Sequence, residues 1–190
     1  MRHKAPIKRI VLVAVLAAFA VFWSLVFLYV EPAEFLREVG VENGYLLLFI
    51  IAALGGVSSL TFTSYIGTLL FLASAGLNPV LLGLVSGAGV TIGDTVYYLL
   101  GYHGRTFIQG KFSGFLRRAS AWVGERPTWL RMLLTYTYVA AAPLPNDILA
   151  VALGALRCSY ASVIVPLVLG NVTHTILIAV LGRELFSFFS

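Results

Sequence analysis

Long apolar runs, not alternation, dominate the chain. Residues 10–30, 45–77, 80–100, 132–156 and 160–181 are apolar over most of their length, and charged positions fall mainly between them. A segment inside lipid must satisfy its own backbone, so continuous runs of this kind predict helices rather than barrel strands. The first run, Ile10–Val30, reaches the ~20 residues needed to cross a bilayer. Arg2, Lys4, Lys8 and Arg9 precede it and put that end in the cytoplasm. Ala18-Phe19-Ala20 resembles a signal-peptide cleavage site. The run continues to Val30, too long for the apolar core of a signal peptide, so an uncleaved helix is expected.

Breaks and charges then set the topology. Glu31, Glu34, Glu38 and Glu42 mark residues 31–44 as an external acidic segment. The run Tyr45–Leu77 is interrupted by Gly55, Gly56, Ser58, Ser59, Thr61, Thr63, Ser64 and Gly67. Asn78-Pro79 is a helix start, with proline in the first turn, and Val80–Leu100 is a full span carrying Asp94. From 101 to 131 the chain is basic, and its apolar residues (Ile108, Phe112, Phe115, Leu116, Ala119, Trp122, Val123) recur at helical spacing. That pattern predicts an amphipathic helix lying on the cytoplasmic surface, with Arg105 and Arg131 contacting lipid head groups. Met132–Leu156 is broken at Pro143-Leu144-Pro145-Asn146-Asp147, and Tyr160–Leu181 is a last span.

If 31–44 lies outside and 101–131 inside, an odd number of crossings must separate them, yet two apolar runs do. The parity is restored if Tyr45–Leu77 enters and returns on one side. The second broken run, flanked by Arg131 and Arg157, behaves the same way. The expected fold is therefore an all-α integral membrane protein. It is an inverted repeat of two re-entrant helical hairpins, each followed by a transmembrane helix, with an N-terminal transmembrane helix and a cytoplasmic amphipathic helix added. Its parts are residues 1–44 (first span and acidic segment), a membrane domain over 45–182, and a tail over 183–190. Within the domain lie a hairpin at 45–77, a span at 79–101, the interfacial helix at 102–131, a hairpin at 132–156 and a span at 159–182.

Composition agrees. Of 190 residues 59% are hydrophobic and only 11% charged, too few to clothe a water-soluble surface. The net charge of +5 is concentrated in the cytoplasmic segments, so it signals membrane rather than nucleic acid. The single cysteine, Cys158, excludes an internal disulfide, and His3, His103 and His174 are too scattered for a metal motif. No cofactor is expected.

Candidate chemistry lies in the polar residues within the runs. A carboxylate at the depth of Asp94 costs ~2.5–3.5 kcal/mol on insertion scales, so it faces either a polar path, where it can carry a proton, or a bonding partner. Asn146 and Asp147 follow the proline break and can cap the helix that resumes at Ile148. A half-helix N-terminus in the membrane also attracts an anionic head group. Asp147 would repel a phosphate there, and a zwitterionic head group would ease that conflict. Asn171 and His174 share a helical face, suited to proton transfer or to bonding a neighbouring helix. The hydroxyls of Ser58–Ser64 can satisfy broken backbone, and Gly83, Gly87 and Gly89 allow close helix packing. A rhomboid-like protease would need Gly-x-Ser-Gly, but Ser86-Gly87 follows Leu84-Val85. No enzymatic activity is expected.

The stretch Gly89-Val-Thr-Ile-Gly93-Asp94-Thr-Val-Tyr97-Tyr98-Leu-Leu-Gly101-Tyr-His-Gly104-Arg105 resembles the DedA/VTT (SNARE-associated Golgi protein) superfamily. Ala142-Pro143-Leu144-Pro145-Asn146-Asp147-Ile148 with Ala152-Leu-Gly154 resembles that family's second hairpin, and Gly170-Asn171 its final Gly-Asn element. The resemblance spans roughly residues 45–182. It implies lipid translocation between leaflets, by a scramblase or flippase of phospholipid or polyprenyl phosphate. It also implies a substrate path that includes Tyr97, Pro143 and Pro145 beside Asp94, Asn146, Asp147, Asn171 and His174. The first hairpin lacks the proline and membrane glutamate of bacterial members, and Pro-x-Pro-Asn looks more like the scramblase branch, which favours passive movement. A gradient-driven solute or ion transporter would use the same architecture, and an assembly factor without transport is a further alternative. The partners expected are membrane lipids, in a multi-pass cell-membrane setting, with a homo-oligomer left open.

Overall fold

The computed structural model describes residues 31–55, 59–104, 125–141 and 146–189, together with Val21, Phe22, Leu25, Tyr29, Arg118, Ala121 and Val123. The expected first span, most of the interfacial helix with Arg105, and Pro143 and Pro145 lie outside the described residues.

The described elements are helical throughout: α1 (Pro32–Val39), α2 (Val41–Gly55), α3 (Ser59–Ser74), α4 (Pro79–Gly104), α5 (Thr128–Ala141), α6 (Asn146–Ala155) and α7 (Tyr160–Phe189). Two helices are long and apolar enough to cross a membrane, over Pro79–Gly104 and Tyr160–Glu184. At ~1.5 Å per residue each extends well beyond the ~30 Å hydrocarbon core. A third crossing would need α1 and α2 together, and their axes meet at 99°. Alone, α2, α3, α5 and α6 each fall short of the ~20 residues a crossing requires.

What is buried and what is exposed are reversed from a water-soluble helix. The buried face of α4 is Gly83, Ser86, Gly87, Gly89, Thr91, Gly93 and Asp94, with Leu82 and Val90. Its outer face carries Leu81, Leu84, Ile92, Val96, Leu99 and Leu100. Lipid tails are as apolar as leucine, so a membrane helix turns its bulk outward and packs through small and polar residues. A Cβ on Gly87 would stand 2.8 Å from the Val172 backbone of α7, and one on Gly89 2.8 Å from the Phe49 carbonyl of α2.

One set of pairings occurs twice. α2 packs along α4, and α5 packs along α7. The second arms cross over: α3 packs on α7, and α6 on α4. Each pair of arms also returns to its starting point. Tyr45, at the start of α2, accepts a hydrogen bond at 3.3 Å from the Asn78 N–H beyond α3. Arg131, near the start of α5, lies close enough to Cys158 beyond α6 to act on it electrostatically. Two apolar clusters accompany this pairing. One gathers Leu48, Tyr65, Leu69, Leu72 and Leu82, and the other Tyr98, Val139, Cys158, Val163 and Leu167.

Both second arms end in the same turn. After α3, Leu77 N–H donates to the Leu72 carbonyl and Gly76 N–H to that of Ala73, with Gly76 at φ +91°. After α6, Cys158 N–H donates to the Leu153 carbonyl and Arg157 N–H to that of Gly154, with Arg157 at φ +59°. This is the Schellman ending, whose left-handed residue is ordinarily glycine. A glycine at a helix crossing stands 13 residues beyond each left-handed residue, Gly89 after Gly76 and Gly170 after Arg157. Gly89 meets α2 and Gly170 meets α5. The Asn78-Pro79 start is as expected: the Asn78 side chain accepts from Val80 N–H at 2.9 Å.

Several boundaries differ from those expected. Within the acidic segment 31–44, Pro32–Val39 is a helix, and α2 begins at Val41. Leu36 buries against the first apolar cluster, which anchors the short helix. The span expected at 79–101 runs to Gly104, and that at 159–182 runs through the tail to Phe189. No glycine or proline follows Gly182 to end it. Thr128–Arg131 belongs to α5 rather than to the interfacial helix. Gly67, with Thr61, Thr63 and Ser64, lies within α3 instead of in a broken turn.

Candidate functional site

The inner face of α4 repeats at helical spacing as Gly87, Thr91, Asp94, Tyr98 and Gly101, all buried. Glycines at both ends draw the neighbouring helices in. A Cβ on Gly101 would stand 2.1 Å from the Val151 carbonyl oxygen, and one on Gly154 2.0 Å from that of Tyr98. α4 and α6 therefore touch backbone to backbone, with Asp94 held between that crossing and α7.

Asp94 is 1% exposed and Asn171 4%. The Asn171 amide donates to Asp94 Oδ2 at 2.7 Å and to Thr91 Oγ1 at 3.1 Å. Its oxygen accepts from the Asn146 amide at 2.9 Å. The partners fix the orientation of the amide, since carboxylate and carbonyl oxygens only accept. Thr91 spends its own hydrogen on the Gly87 carbonyl at 2.7 Å, so its oxygen is left to accept. The result is a polar relay from the first residue of α6, through α7, to the middle of α4.

Asp147 and Tyr97 adjoin this relay. Both carboxyls act electrostatically on Tyr97, and Asp147 acts on Asp94. Asp147 is half-buried on the first turn of α6. Asn146 reaches across to α7 and satisfies a buried amide there.

His174 stands apart from the relay. Its Nδ1–H donates to the Ala140 carbonyl at 3.3 Å. Ala140 lies in the last turn of α5, where carbonyls lack partners within the helix. His174 thus supplies a donor to the end of α5. Arg131 is also elsewhere, donating to Thr128 Oγ1 at 3.0 Å within its own first turn.

A second buried polar group was not anticipated. The Tyr65 hydroxyl of α3 lies in hydrogen-bonding reach of Ser86 on α4 and Thr175 on α7. Thr175 donates to the backbone oxygen of Asn171, which links this group to the relay. Thr91 was also missed, although its place one turn before Asp94 was available from spacing. Tyr65, Ser86 and Thr175 give no such signal, because single hydroxyls in apolar runs usually bond their own helix.

Compared with family models, with curated proteins and with solved structures, the chain matches none of them.

Proposed function

We propose that this chain moves lipid between leaflets of a cell membrane as a DedA/VTT-type protein. The observation that carries the reading is the buried relay Asn146–Asn171–Asp94, which joins the start of a broken helix to the interior of two spans. A bilayer-spanning helix keeps a carboxyl and two amides inside only at a cost, and such groups commonly line substrate or ion paths. The short arms support a re-entrant reading, since each hairpin returns to its own start and neither arm is long enough to cross. The twice-used pairing pattern and the matched Schellman endings support an inverted repeat. On this reading a head group passes along the relay while its tails stay in lipid. The apolar outer faces of α4 and α7 form the tail side.

The test is lipid translocation by the purified chain in liposomes. Fluorescent phospholipid is followed by dithionite quenching, with wild type beside Asp94→Asn. Quenching well beyond half of the probe, lost in the variant, is the expected result. A plateau near half in folded wild type, across several head groups and with imposed gradients, would overturn lipid movement and favour a small solute or ion.

A further inference from the structure

We infer that the end of α4 and the α6–α7 turn form a binding site for a phosphate group, held by Arg157. An open groove of about 600 Å³ lies there. Thr95, Tyr98, Tyr102, His103, Arg157 and Tyr160 are among the residues that line it, and among the described residues no carboxylate does.

Arg157 occupies a position where its backbone favours another residue. It stands at φ +59°, the left-handed site of the Schellman ending, and the matching site after α3 is Gly76. A basic residue near the end of α6 gains from the helix dipole at any position of the last turn, so the dipole alone does not explain arginine at the strained one. The position does have a geometric consequence. The guanidinium lies 4.5 Å from the Tyr102 ring centroid, and Nη1 donates to Tyr102 Oη at 3.4 Å. Its other N–H donors have no partner among the described residues. The stack holds the guanidinium at the groove, as planar recognition of a phosphate requires.

The rest of the wall is fixed. Tyr98 donates to the Cys158 carbonyl at 2.7 Å and ties α4 to the turn. Tyr160 Oη and Thr95 Oγ1 stand 3.2 Å apart. Tyr98 packs against both Tyr102 and Tyr160, with ring centroids 6.1 and 5.4 Å apart. The hydrogens of Tyr98, Thr95 and Tyr160 are thus spent within the wall, which leaves the Arg157 guanidinium, with the Tyr102 hydroxyl, to supply the donors at the groove. Thr95 follows Asp94 directly in sequence and donates to the Thr91 carbonyl, so the groove ends beside the relay. The phosphate can come from a lipid head group or from a soluble phosphate. Use of the groove as a loading position for transport rests on the translocation reading, and the phosphate site itself does not.

The test is calorimetric titration of the full chain in neutral detergent. The ligands are dihexanoyl phosphatidic acid, inorganic phosphate and dihexanoylglycerol, with wild type beside Arg157→Gly and Arg157→Gln. We expect saturable, salt-sensitive binding of phosphatidic acid, weakened at least tenfold in both variants, and none of dihexanoylglycerol. Arg157→Gly suits its backbone position, so its thermal midpoint should equal or exceed that of wild type, which separates lost binding from lost fold. Inorganic phosphate competing as well as the lipid would identify a soluble ligand for the same site, and failure to compete would identify the head group. Equal affinity in wild type and Arg157→Gly, equal binding of dihexanoylglycerol, or no saturable binding would overturn the inference. Because no bilayer is present, the titration can succeed where liposome translocation fails, and the reverse.

Discussion

Replacing Asn171 by leucine keeps the side-chain volume nearly constant and removes the centre of the relay. The three side-chain bonds it makes, to Asn146, Thr91 and Asp94, are lost together. At the ~0.6 kcal/mol average for side-chain hydrogen bonds between membrane helices, they amount to about 2 kcal/mol. Asp94, almost wholly buried, then loses its amide donor, and an unsatisfied buried polar group adds ~1–3 kcal/mol. The expected destabilisation is about 3–5 kcal/mol, against about 2–4 kcal/mol for Asn146→Ala, which removes one neutral bond and leaves the buried Asn171 oxygen without that donor. The assay is reversible unfolding in mixed micelles, followed by helical circular dichroism. A second variant sharpens it. Asn171→Leu combined with Asp94→Leu removes both partners, so the pair should be less destabilised than the sum of the single changes. Asn171→Leu within ~0.5 kcal/mol of wild type, a size typical of an uninvolved surface position, would refute the reasoning. So would strict additivity in the double variant.

Two further outcomes follow from the packing and the turns. Gly154→Val would drive side-chain atoms into the Tyr98 carbonyl of α4, where even a Cβ stands at 2.0 Å, so loss of folded protein on size exclusion is expected. Gly76→Ala meets open space yet forces a left-handed alanine, and unfolding should show a loss of ~1–2 kcal/mol.

Much of the architecture is written in local signals. The division of the apolar runs into α2 with α3 and α5 with α6 follows from where glycine, serine and proline interrupt them, and α4 begins where Asn78-Pro79 announces it. Asp94, Asn146 and Asn171 stand out because a polar residue in an apolar run needs a reason. Their joining could not be read, because the contacts link residues far apart in sequence and depend on helix rotation. The same holds for His174, whose partner is a backbone carbonyl that any residue at position 140 would supply. Nor does Arg157 announce itself. Arginine is not a turn residue, and its left-handed backbone becomes notable only beside Gly76 in the matching turn.

That comparison also bears on how the two matched units divide their work. Counted from the left-handed residue, Gly89 and Gly170 occupy the same position, and both serve helix contact. At the equivalent position one residue later, α4 has Val90 and α7 has Asn171. Four residues beyond these, α4 has Asp94 and α7 has Thr175. Where the units agree they supply what any such pair of helices needs: a turn ending and a close crossing. Where they differ, one member packs or bonds its own helix and the other carries the unusual polar group. Val90 lies in an apolar cluster while Asn171 centres the relay, and Thr175 bonds backwards along α7 while Asp94 bonds across to it. Gly76 relaxes its turn while Arg157 strains its own beside an open groove. A shared pattern of turns and crossings therefore leaves the chemistry at the departures, and Asp94 and Arg157 are the positions whose substitution should separate the proposed transport from folding.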